Sequence, residues 1–456
     1  MNFKIPHTLV LMFTLMAAAL LLTWIVPSGE FETTINEQGQ EVIMPGSFTE
    51  KEKDWLSPIA LLTVVPRALS DAQGIIFFVL IVGGALAVVR ETGAIDAFLG
   101  KMVTKFGNRP AYLLFSAMFI FALASATLGM AEEYIPFAII LVSLCIALNM
   151  DSVTAIGTMV VGYGIGYGVA FLNPFTLLIA QDIAQLPLGS GMAFRLAIGI
   201  PFLAVGFHHV WKYARTVRLN PSHSLVYDID KSHQLQNIDY PDLTIRRKMV
   251  LAAFIIILIG LFLGIAIADW YLVELGAMFL ALAILAGLIS GISVNKIAET
   301  FGIGAAELTS TALLIGFARS IALLLEDGEI LHTVIHALAT PLTYMGTEFA
   351  AIGMLIIQSI LNFFIPSGSG QAFVTMPLMA PIGDLAGVSR QISVLAYQFG
   401  DGLMNMIVPT NPVLMGILGL AGIPYDKWFT FIFPLMLKLL VLCSFALVLA
   451  VWLGYK

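Results

Sequence analysis

The chain places two adjacent carboxylates, Glu132 and Glu133, in the middle of the otherwise apolar stretch 111–149. Two neighbouring carboxylates in a dry environment cannot both stay charged without a compensating cation, proton or water. The pair therefore suggests binding of a cationic substrate group, binding of Na⁺, or proton transport. The alternative is a local role in which Glu132 caps or flanks the following helix and faces a polar vestibule. We expect at least one of the two to function in binding.

A second polar cluster lies in the segment Pro366-Ser-Gly-Ser-Gly-Gln371. Its two serines and its glutamine supply hydrogen-bond donors and acceptors, and its two glycines let a ligand approach the backbone. A helix that begins here would also present backbone N–H groups, which favour anions. We therefore expect this segment to bind a carboxylate of the substrate.

Two further charged residues lie inside apolar segments. Asp401 stands between Gly400 and Gly402 and could join the binding site, but it is a weaker candidate because Arg390 and neighbouring polar groups could satisfy its charge. Arg319 is a lone cation in its apolar segment. It could bind a substrate carboxylate or pair with an acidic side chain of the protein.

Other chemistries find less support in the sequence. His332 and His336 are four residues apart, which suits a metal on a helix, but no third ligand is in register and we predict no metal. No arrangement of Ser, His and Asp or of Cys and His stands out. We therefore predict no catalytic residues, no enzyme activity and no cofactor.

These polar clusters fall on a pattern that occurs twice. Its two copies are Gly129-Met-Ala-x4-Pro136 with Gly162-Tyr-Gly-x8-Asn173-Pro174, and Gly370-Gln-Ala-x4-Pro377 with Gly400-Asp-Gly-x8-Asn411-Pro412. Gly and Pro often merely kink transmembrane helices. Paired interruptions in the two halves of a membrane protein, however, point to the binding site of a transporter.

The predicted substrate site combines residues from both tips and both Asn-Pro breaks. They are Thr127, Gly129, Glu132, Glu133, Asn173, Ser367, Gly368, Ser369, Gly370, Gln371, Asp401, Thr410 and Asn411, with Arg319 as a candidate partner for a substrate carboxylate. We expect Asn173 and Asn411 to cap the helices that begin beyond each break, with the following prolines in the first helical turn.

Composition indicates an integral membrane protein. The 456 residues are 59% hydrophobic and only 11% charged, whereas soluble domains carry about 25% charged residues. We interpret residues 8–26 as a retained first helix rather than a signal peptide, because the run nearly suffices to span and the following residues are a poor cleavage context. Nothing in the composition indicates nucleic-acid binding.

The order of apolar segments predicts an all-α protein made of two inverted repeats. The first repeat covers 1–212, with a re-entrant hairpin at about 111–149, whose two arms are each about 15 residues long, and a broken helix at 152–182. Residues 213–270 form a cytoplasmic connector and a linking transmembrane helix. The second repeat covers 271–456, with a hairpin at about 350–386 and a broken helix at 389–423. With nine full spans and two hairpins, the distribution of Lys and Arg places the N-terminus in the cytoplasm.

Several segments together resemble the YfcC-type members of the DcuC (C4-dicarboxylate carrier-like) family of the ion transporter superfamily. They are Pro6-His-Thr-Leu9, Leu22-Thr-Trp-Ile-Val-Pro-Ser-Gly-Glu-Phe31, Gly129-Met-Ala-Glu-Glu133, Gly316-Phe-Ala-Arg319, Asn362-Phe-Phe-Ile-Pro-Ser-Gly-Ser-Gly-Gln371 and Pro409-Thr-Asn-Pro412. The resemblance implies a homodimer in which each protomer has a scaffold domain and a mobile transport domain that carries both hairpins and works as an elevator.

The resemblance also limits the substrate. DcuC-type members are associated with C4-dicarboxylates, and YfcC-type members are described as carriers of basic amino acids, including arginine/ornithine exchangers. The Glu132-Glu133 pair favours substrates with an amino group. Members that use Na⁺ carry Ser-Asn-Thr at the tips, whereas this chain has Ala126-Thr-Leu128 and Ser367-Gly-Ser369, which argues against Na⁺ at those positions.

The sequence therefore predicts a secondary active transporter in the bacterial inner membrane. Basic amino acids are the expected substrates, and a C4-dicarboxylate carrier coupled to Na⁺ or H⁺ is the alternative. The coupling ion, if one is used, would be H⁺ or Na⁺. A channel would need a continuous polar path, which the two closed tips argue against.

Overall fold

The computed structural model is dominated by helices. It describes residues 8–35, 41–43, 47–106, 109–234, 241–268, 270 and 272–456. The first residues of the Pro6-His-Thr-Leu9 motif lie outside the described residues.

The N-terminal part is helical and includes the predicted interruptions at Gly129 and at Asn173-Pro174. Its helices are α1 (Thr8–Ile25), α2 (Ala60–Asp71), α3 (Gln73–Glu91), α4 (Ala94–Phe106), α5 (Pro110–Leu128), α6 (Ile135–Ala147), α7 (Ser152–Gly168), α8 (Leu177–Ile183), α9 (Met192–Leu219) and α10 (Tyr227–Gln234).

The C-terminal part continues in the same manner. Its helices are α11 (Ile245–Ala268), α12 (Leu272–Ser290), α13 (Val294–Glu307), α14 (Thr309–Asp327), α15 (Leu331–Ala339), α16 (Thr347–Phe364), α17 (Gly368–Leu385), α18 (Arg390–Met404), α19 (Pro412–Leu420) and α20 (Tyr425–Trp452).

The same order of elements occurs twice. Helices α5 and α6 are followed by the broken pair α7 and α8, and helices α16 and α17 are followed by the broken pair α18 and α19. In each set the helix before the break packs against the first arm of its own hairpin, α7 on α5 and α18 on α16. The two sets meet because α7 also packs against α18.

The arms of the first hairpin are not the two equal arms of about 15 residues that the sequence predicts. Helix α5 has 19 residues and α6 has 13, whereas α16 and α17 have 18 each. The break in the first hairpin, at Gly129, lies closer to the C-terminal end of the hairpin, and α5 is therefore longer than α6. At about 1.5 Å per residue, α5 is long enough to approach the thickness of a bilayer core. A re-entrant course for this hairpin thus remains a prediction.

Six helices among the described residues are long and apolar enough to cross a membrane, and a seventh span results if α13 and α14 are counted as one bent pair. The six are α3, α5, α9, α12, α16 and α20. This count rests on helix length and composition alone. It is smaller than the nine full spans expected from the sequence. The shorter apolar segment Met12–Ile25 of α1 falls below the same length criterion.

The all-α prediction requires one correction, in the polar loop between α1 and α2. The loop contains β1 (Gly29–Glu30), β2 (Thr33–Ile35), β3 (Glu41–Ile43) and β4 (Thr49–Glu50), with β1 antiparallel to β4 and β2 antiparallel to β3. Threonine and β-branched residues favour extended backbone, which a reading of the loop by polarity alone does not capture.

This loop is attached to the start of α15. Ser28 Oγ donates to the Gly328 carbonyl oxygen at 3.2 Å, and the Phe31 N–H donates to Nδ1 of His332 at 3.3 Å. The ring of His336 stacks on Phe48 with ring centroids 4.2 Å apart. Both histidines are therefore engaged in packing the loop against α15.

Candidate substrate site

The first tip is a tight turn between α5 and α6. Gly129 ends α5 with φ +71°, and a Cβ atom there would lie 2.5 Å from the ring of Phe175, so both the backbone angle and the space require glycine. A short 3-10 helix, Glu132–Tyr134, then leads into α6. Glu133 is 7% exposed, and its Oε2 accepts the N–H of Ala131 at 2.8 Å. The turn thus holds the Glu133 carboxylate close to the backbone of the tip.

The second tip begins α17. Ser367 is the N-cap, and its Oγ accepts the N–H of Gly370 at 3.4 Å. The predicted role of Gln371 in ligand binding does not fit its contacts. Its Nε2 donates to the backbone oxygen and to Oε1 of Gln358 at 2.9 and 2.7 Å, and its Oε1 accepts from Asn362 Nδ2 at 3.1 Å. Gln371 instead fastens α17 to α16.

The two Asn-Pro breaks differ in detail. Asn411 is the N-cap of α19, with Oδ1 accepting the Leu414 N–H at 3.0 Å and Pro412 in the first turn, as predicted. Asn173 is not a helix cap, because α8 begins only at Leu177. Its Oδ1 accepts the N–H groups of Phe175 and Thr176 at 2.9 and 3.1 Å, and so it stabilises a turn before the helix.

A cavity of about 480 Å³ lies between the two tips and the two breaks. Several of the predicted residues line it, together with further residues of the breaks and of the facing helices α2, α3, α7 and α14. The lining residues are Asp71, Ala72, Ile75, Gly129, Ala131, Glu132, Glu133, Tyr163, Tyr167, Phe175, Thr176, Arg319, Ile365, Pro366, Ser367, Gly368, Ser369, Asn405, Asn411, Pro412 and Val413.

The remaining predicted residues do not line this cavity. Thr127 Oγ1 donates to the Leu123 carbonyl oxygen, and Thr410 Oγ1 donates to the Phe363 carbonyl oxygen, both at 2.8 Å. Asp401 is 1% exposed. The others outside the lining are Asn173, Gly370 and Gln371.

Arg319 is already paired within the protein. Its Nε donates to Asp71 Oδ2 at 2.5 Å, and its Nη1 donates to Glu326 Oε1 at 2.9 Å. Of the two alternatives that the sequence left open, the structure shows the pairing with acidic side chains. Arg390, one of the groups that could have satisfied Asp401, pairs with Asp384 at 2.9 Å, and neighbouring amides, those of Asn362 and Asn405, donate to Asp401 Oδ1 instead.

The charge of the cavity is therefore unbalanced. Its lining contains three carboxylates, those of Asp71, Glu132 and Glu133, and one guanidinium, that of Arg319. Asp71 shares that guanidinium with Glu326. Within the described part of the chain, neither Glu132 nor Glu133 has an ion-pair partner. A cation that entered the cavity would find two carboxylates without a counter-charge.

Sequence reasoning missed several lining residues. Tyr163 and Tyr167 lie between the alternating glycines of α7, and their spacing of four residues places both on one face of that helix, which could have identified them. Tyr167 OH donates to the Gly129 carbonyl oxygen and so connects α7 with the first tip. Asp71 gave no such signal, since its partner is 248 residues away in the chain.

Comparison with known proteins agrees with this picture of a membrane carrier. The family model described as DcuC, C4-dicarboxylate anaerobic carrier, matches residues 5–452. A protein of Escherichia coli (strain K12) named "Putative basic amino acid antiporter YfcC" is 32% identical over 495 aligned positions, which cover 100% of this chain and 98% of that protein. An uncharacterized protein of Haemophilus influenzae is 28% identical over 499 positions, covering 99% of this chain and 97% of that one.

Two solved structures were also matched over nearly their full length. The YdaH transporter of Alcanivorax borkumensis has a TM-score of 0.41 and 17% sequence identity, with 99% of both chains covered. MtrF of Neisseria gonorrhoeae, described in connection with a class of antimetabolite efflux pumps, has a TM-score of 0.42 and 17% identity, with 98% and 95% covered. The full-length match to the family model is the decisive one, and it shows that the chain belongs to the DcuC family of membrane carriers, with a YfcC-type protein among its relatives.

Proposed function

We propose that this protein is a secondary active transporter that exchanges basic amino acids, such as arginine and ornithine, across the bacterial inner membrane. The observation that carries the proposal is the charge of the cavity between the tips. Its one guanidinium, Arg319, is neutralised by Asp71 and Glu326, whereas Glu132 and Glu133 lack a cationic partner among the described residues. Such a site favours a substrate with more positive than negative groups.

The proposed binding mode uses both tips. Glu132 and Glu133 bind the ammonium or guanidinium group of the side chain. The carboxylate binds at the other tip, where Ser367, Gly368 and Ser369 line the same cavity at the N-terminus of α17. Asn411, at the second Asn-Pro break, also lines this cavity.

Support from relatives is divided. The name of the Escherichia coli relative favours basic amino acids, whereas the description of the family model favours C4-dicarboxylates. A dicarboxylate carrier coupled to Na⁺ or H⁺ is therefore the second candidate. It would need free cations for two carboxylates, and the cavity lining holds only the paired Arg319.

The packing supports an elevator motion. Both hairpins and both broken helices contact one another through α7 and α18, which would allow them to move as one transport domain. A separate hydrophobic cluster joins α3, α11 and α12, and it includes the rings of Phe78 and Phe279, whose centroids are 6.1 Å apart. These three helices form the scaffold in this proposal. In this proposal two scaffolds associate as a homodimer, and the N-terminus lies in the cytoplasm.

The proposal is tested by binding of matched ligands to the purified full-length protein. Citrulline has the shape of arginine with a neutral end group, and agmatine is arginine without its carboxylate. We expect arginine to raise the unfolding temperature increasingly as its concentration exceeds its Kd, citrulline to have little effect, and agmatine to bind more weakly than arginine. If succinate stabilises the protein and arginine does not, the dicarboxylate alternative is correct.

A further inference from the structure

A second cavity, of about 350 Å³, borders the first tip. One of its walls is formed by α5, α6 and the tip that joins them, and the other by α3, α11 and α12, with Phe78, Leu258 and Phe279 among the lining residues. Glu133 lines both this cavity and the substrate cavity. The first tip therefore lies between the two, and we call the second cavity the lateral crevice.

The walls of the lateral crevice are almost entirely apolar. Among the described residues that line it, only Glu133 and Tyr134 carry polar side-chain groups, and each already has a hydrogen-bond partner. Tyr134 OH donates to the Phe121 carbonyl oxygen at 3.0 Å, and Glu133 Oε2 accepts the Ala131 N–H at 2.8 Å. An ordered water needs several polar partners, so these walls suit a hydrocarbon group better than water.

The lateral crevice has an exposed rim and a buried floor. The rim consists of large apolar side chains that are exposed, namely Ile120, Ile255, Ile259 and Leu263. The floor consists of buried side chains from both walls, namely Phe78, Met130, Tyr134, Leu275 and Phe279. The rim residues belong to α5 and α11, so the crevice opens sideways between these two helices.

The rim lies at a depth where lipid chains surround a membrane carrier. Ile255 and Leu263 follow Lys248, the last of three cations near the start of α11, by seven and fifteen residues. At about 1.5 Å per residue they lie about 10 and about 22 Å along the helix from that charged end. Charged side chains stay at the edges of a hydrocarbon core that is about 30 Å thick, so the opening faces lipid.

We propose that an acyl chain of a membrane phospholipid binds in the lateral crevice and supports the first tip on the side that faces away from the substrate cavity. The chain enters from the bilayer through the apolar rim and packs against the floor. Since it moves from one apolar environment to another, it gains packing contacts but no hydrophobic free energy, and it therefore exchanges with the bilayer. In the elevator motion the chain would have to slide or leave as α5 moves past α11. That consequence rests on the proposed function, whereas the binding of the chain does not.

The test is photo-crosslinking of the full-length protein in phosphatidylethanolamine liposomes without any amino acid. A small share of the phospholipid carries a diazirine near the end of one acyl chain, and mass spectrometry locates the labelled residues after illumination. We expect labels on the floor residues Met130 and Phe279 as well as on the rim. Both floor residues are buried, so chains that only surround the protein do not reach them.

Variants that fill the lateral crevice should lose the floor labels. Ala124→Trp fills it from α5, and Ile259→Trp fills it from the exposed rim in case Ala124→Trp does not fold. Ile256→Trp is the matched control, because Ile256 is also exposed on α11 but does not line the crevice. This variant should keep the floor labels.

Several results would overturn the proposal. Labels confined to the rim and to other exposed residues would show that no chain enters the crevice. Floor labels that persist in both Ala124→Trp and Ile259→Trp would show that the chain does not lie between α5 and α11. Loss of the floor labels in Ile256→Trp would show that any added indole on α11 has the same effect. Since no amino acid is present, failure of the proposed exchange activity would leave these results unaffected.

Discussion

Gly168 and Gly402 touch where the two broken helices cross, because a Cβ atom on Gly402 would lie 2.4 Å from the backbone nitrogen of Gly168. The neighbouring glycines serve the same purpose within each half. A Cβ on Gly162 would lie 2.8 Å from the Met118 carbonyl oxygen of α5, and one on Gly400 would lie 2.5 Å from Gln358 of α16. These glycines therefore permit close packing of helix backbones.

Replacing Gly402 with alanine should destabilise the protein by about 1–3 kcal/mol, because the added methyl group meets backbone atoms that cannot move aside. Gly302→Ala in α13 is the matched control, since a Cβ there has no atom within 4 Å and alanine favours a helix. Thermal unfolding of both variants checks the prediction. Equal stability of Gly402→Ala and the wild type would show that the two helices do not cross so closely.

Glu132→Gln and Glu133→Gln should each reduce exchange of arginine at low substrate concentration by roughly tenfold to a hundredfold. Each removes a charged hydrogen-bond acceptor worth about 1.5–3 kcal/mol. Glu299→Gln, at an exposed position in α13, should leave the exchange unchanged. The initial rate of arginine exchange in liposomes provides the measurement. Unchanged rates in both Glu132→Gln and Glu133→Gln would show that neither carboxylate binds the substrate.

The pair of Arg319 and Asp71 should show a modest coupling energy. The two side chains are 27% and 48% exposed, so solvent weakens their attraction, and about 0.2–1 kcal/mol is expected. Arg319→Gln alone leaves Asp71 and Glu326 without their cation, and the double change with Asp71→Asn should therefore cost less than the sum of the single changes. A double-mutant cycle of unfolding free energies measures this coupling, and strictly additive effects would contradict the pairing.

Contact between the first loop and α15 should weaken in acid. Burial lowers the pKa of His332 below its ordinary value of 6.5, and its Nδ1 accepts the Phe31 N–H, which requires an unprotonated nitrogen. Because the unfolded chain binds the proton more readily, this contribution to stability is complete above pH 6.5 and is lost as the pH falls towards the lowered pKa.

The unfolding temperature as a function of pH tests this dependence. His332→Gln should reduce the acid-induced loss, because glutamine keeps an acceptor that does not titrate. His223→Gln, at an exposed position, should follow the wild type. The same acid sensitivity in His332→Gln and the wild type would assign the effect to another group.

The interruptions of the helices could be predicted from the sequence because they depend on local chemistry. Gly129 takes a left-handed backbone angle, and Asn411 caps the helix that Pro412 begins. Both features follow from the residue type and its immediate neighbours. The two tips and two breaks, which frame the cavity, thus fall where the repeated pattern places them.

The orientation of individual side chains could not be predicted in the same way. Gln371 lies one turn into α17 and faces α16, because its side chain forms hydrogen bonds with Gln358 and Asn362 of that helix. The partner of Arg319 on α2 depends on how distant helices pack. Such contacts join different helices, and no pattern within one helix specifies them.

Counterflow in liposomes tests the central claim most directly. Vesicles containing the full-length protein are loaded with unlabelled ornithine or succinate and diluted into labelled arginine or labelled succinate, with and without Na⁺ and a pH gradient. We predict that labelled arginine accumulates in ornithine-loaded vesicles and that labelled succinate does not accumulate in succinate-loaded ones. Accumulation of succinate without accumulation of arginine would contradict the account.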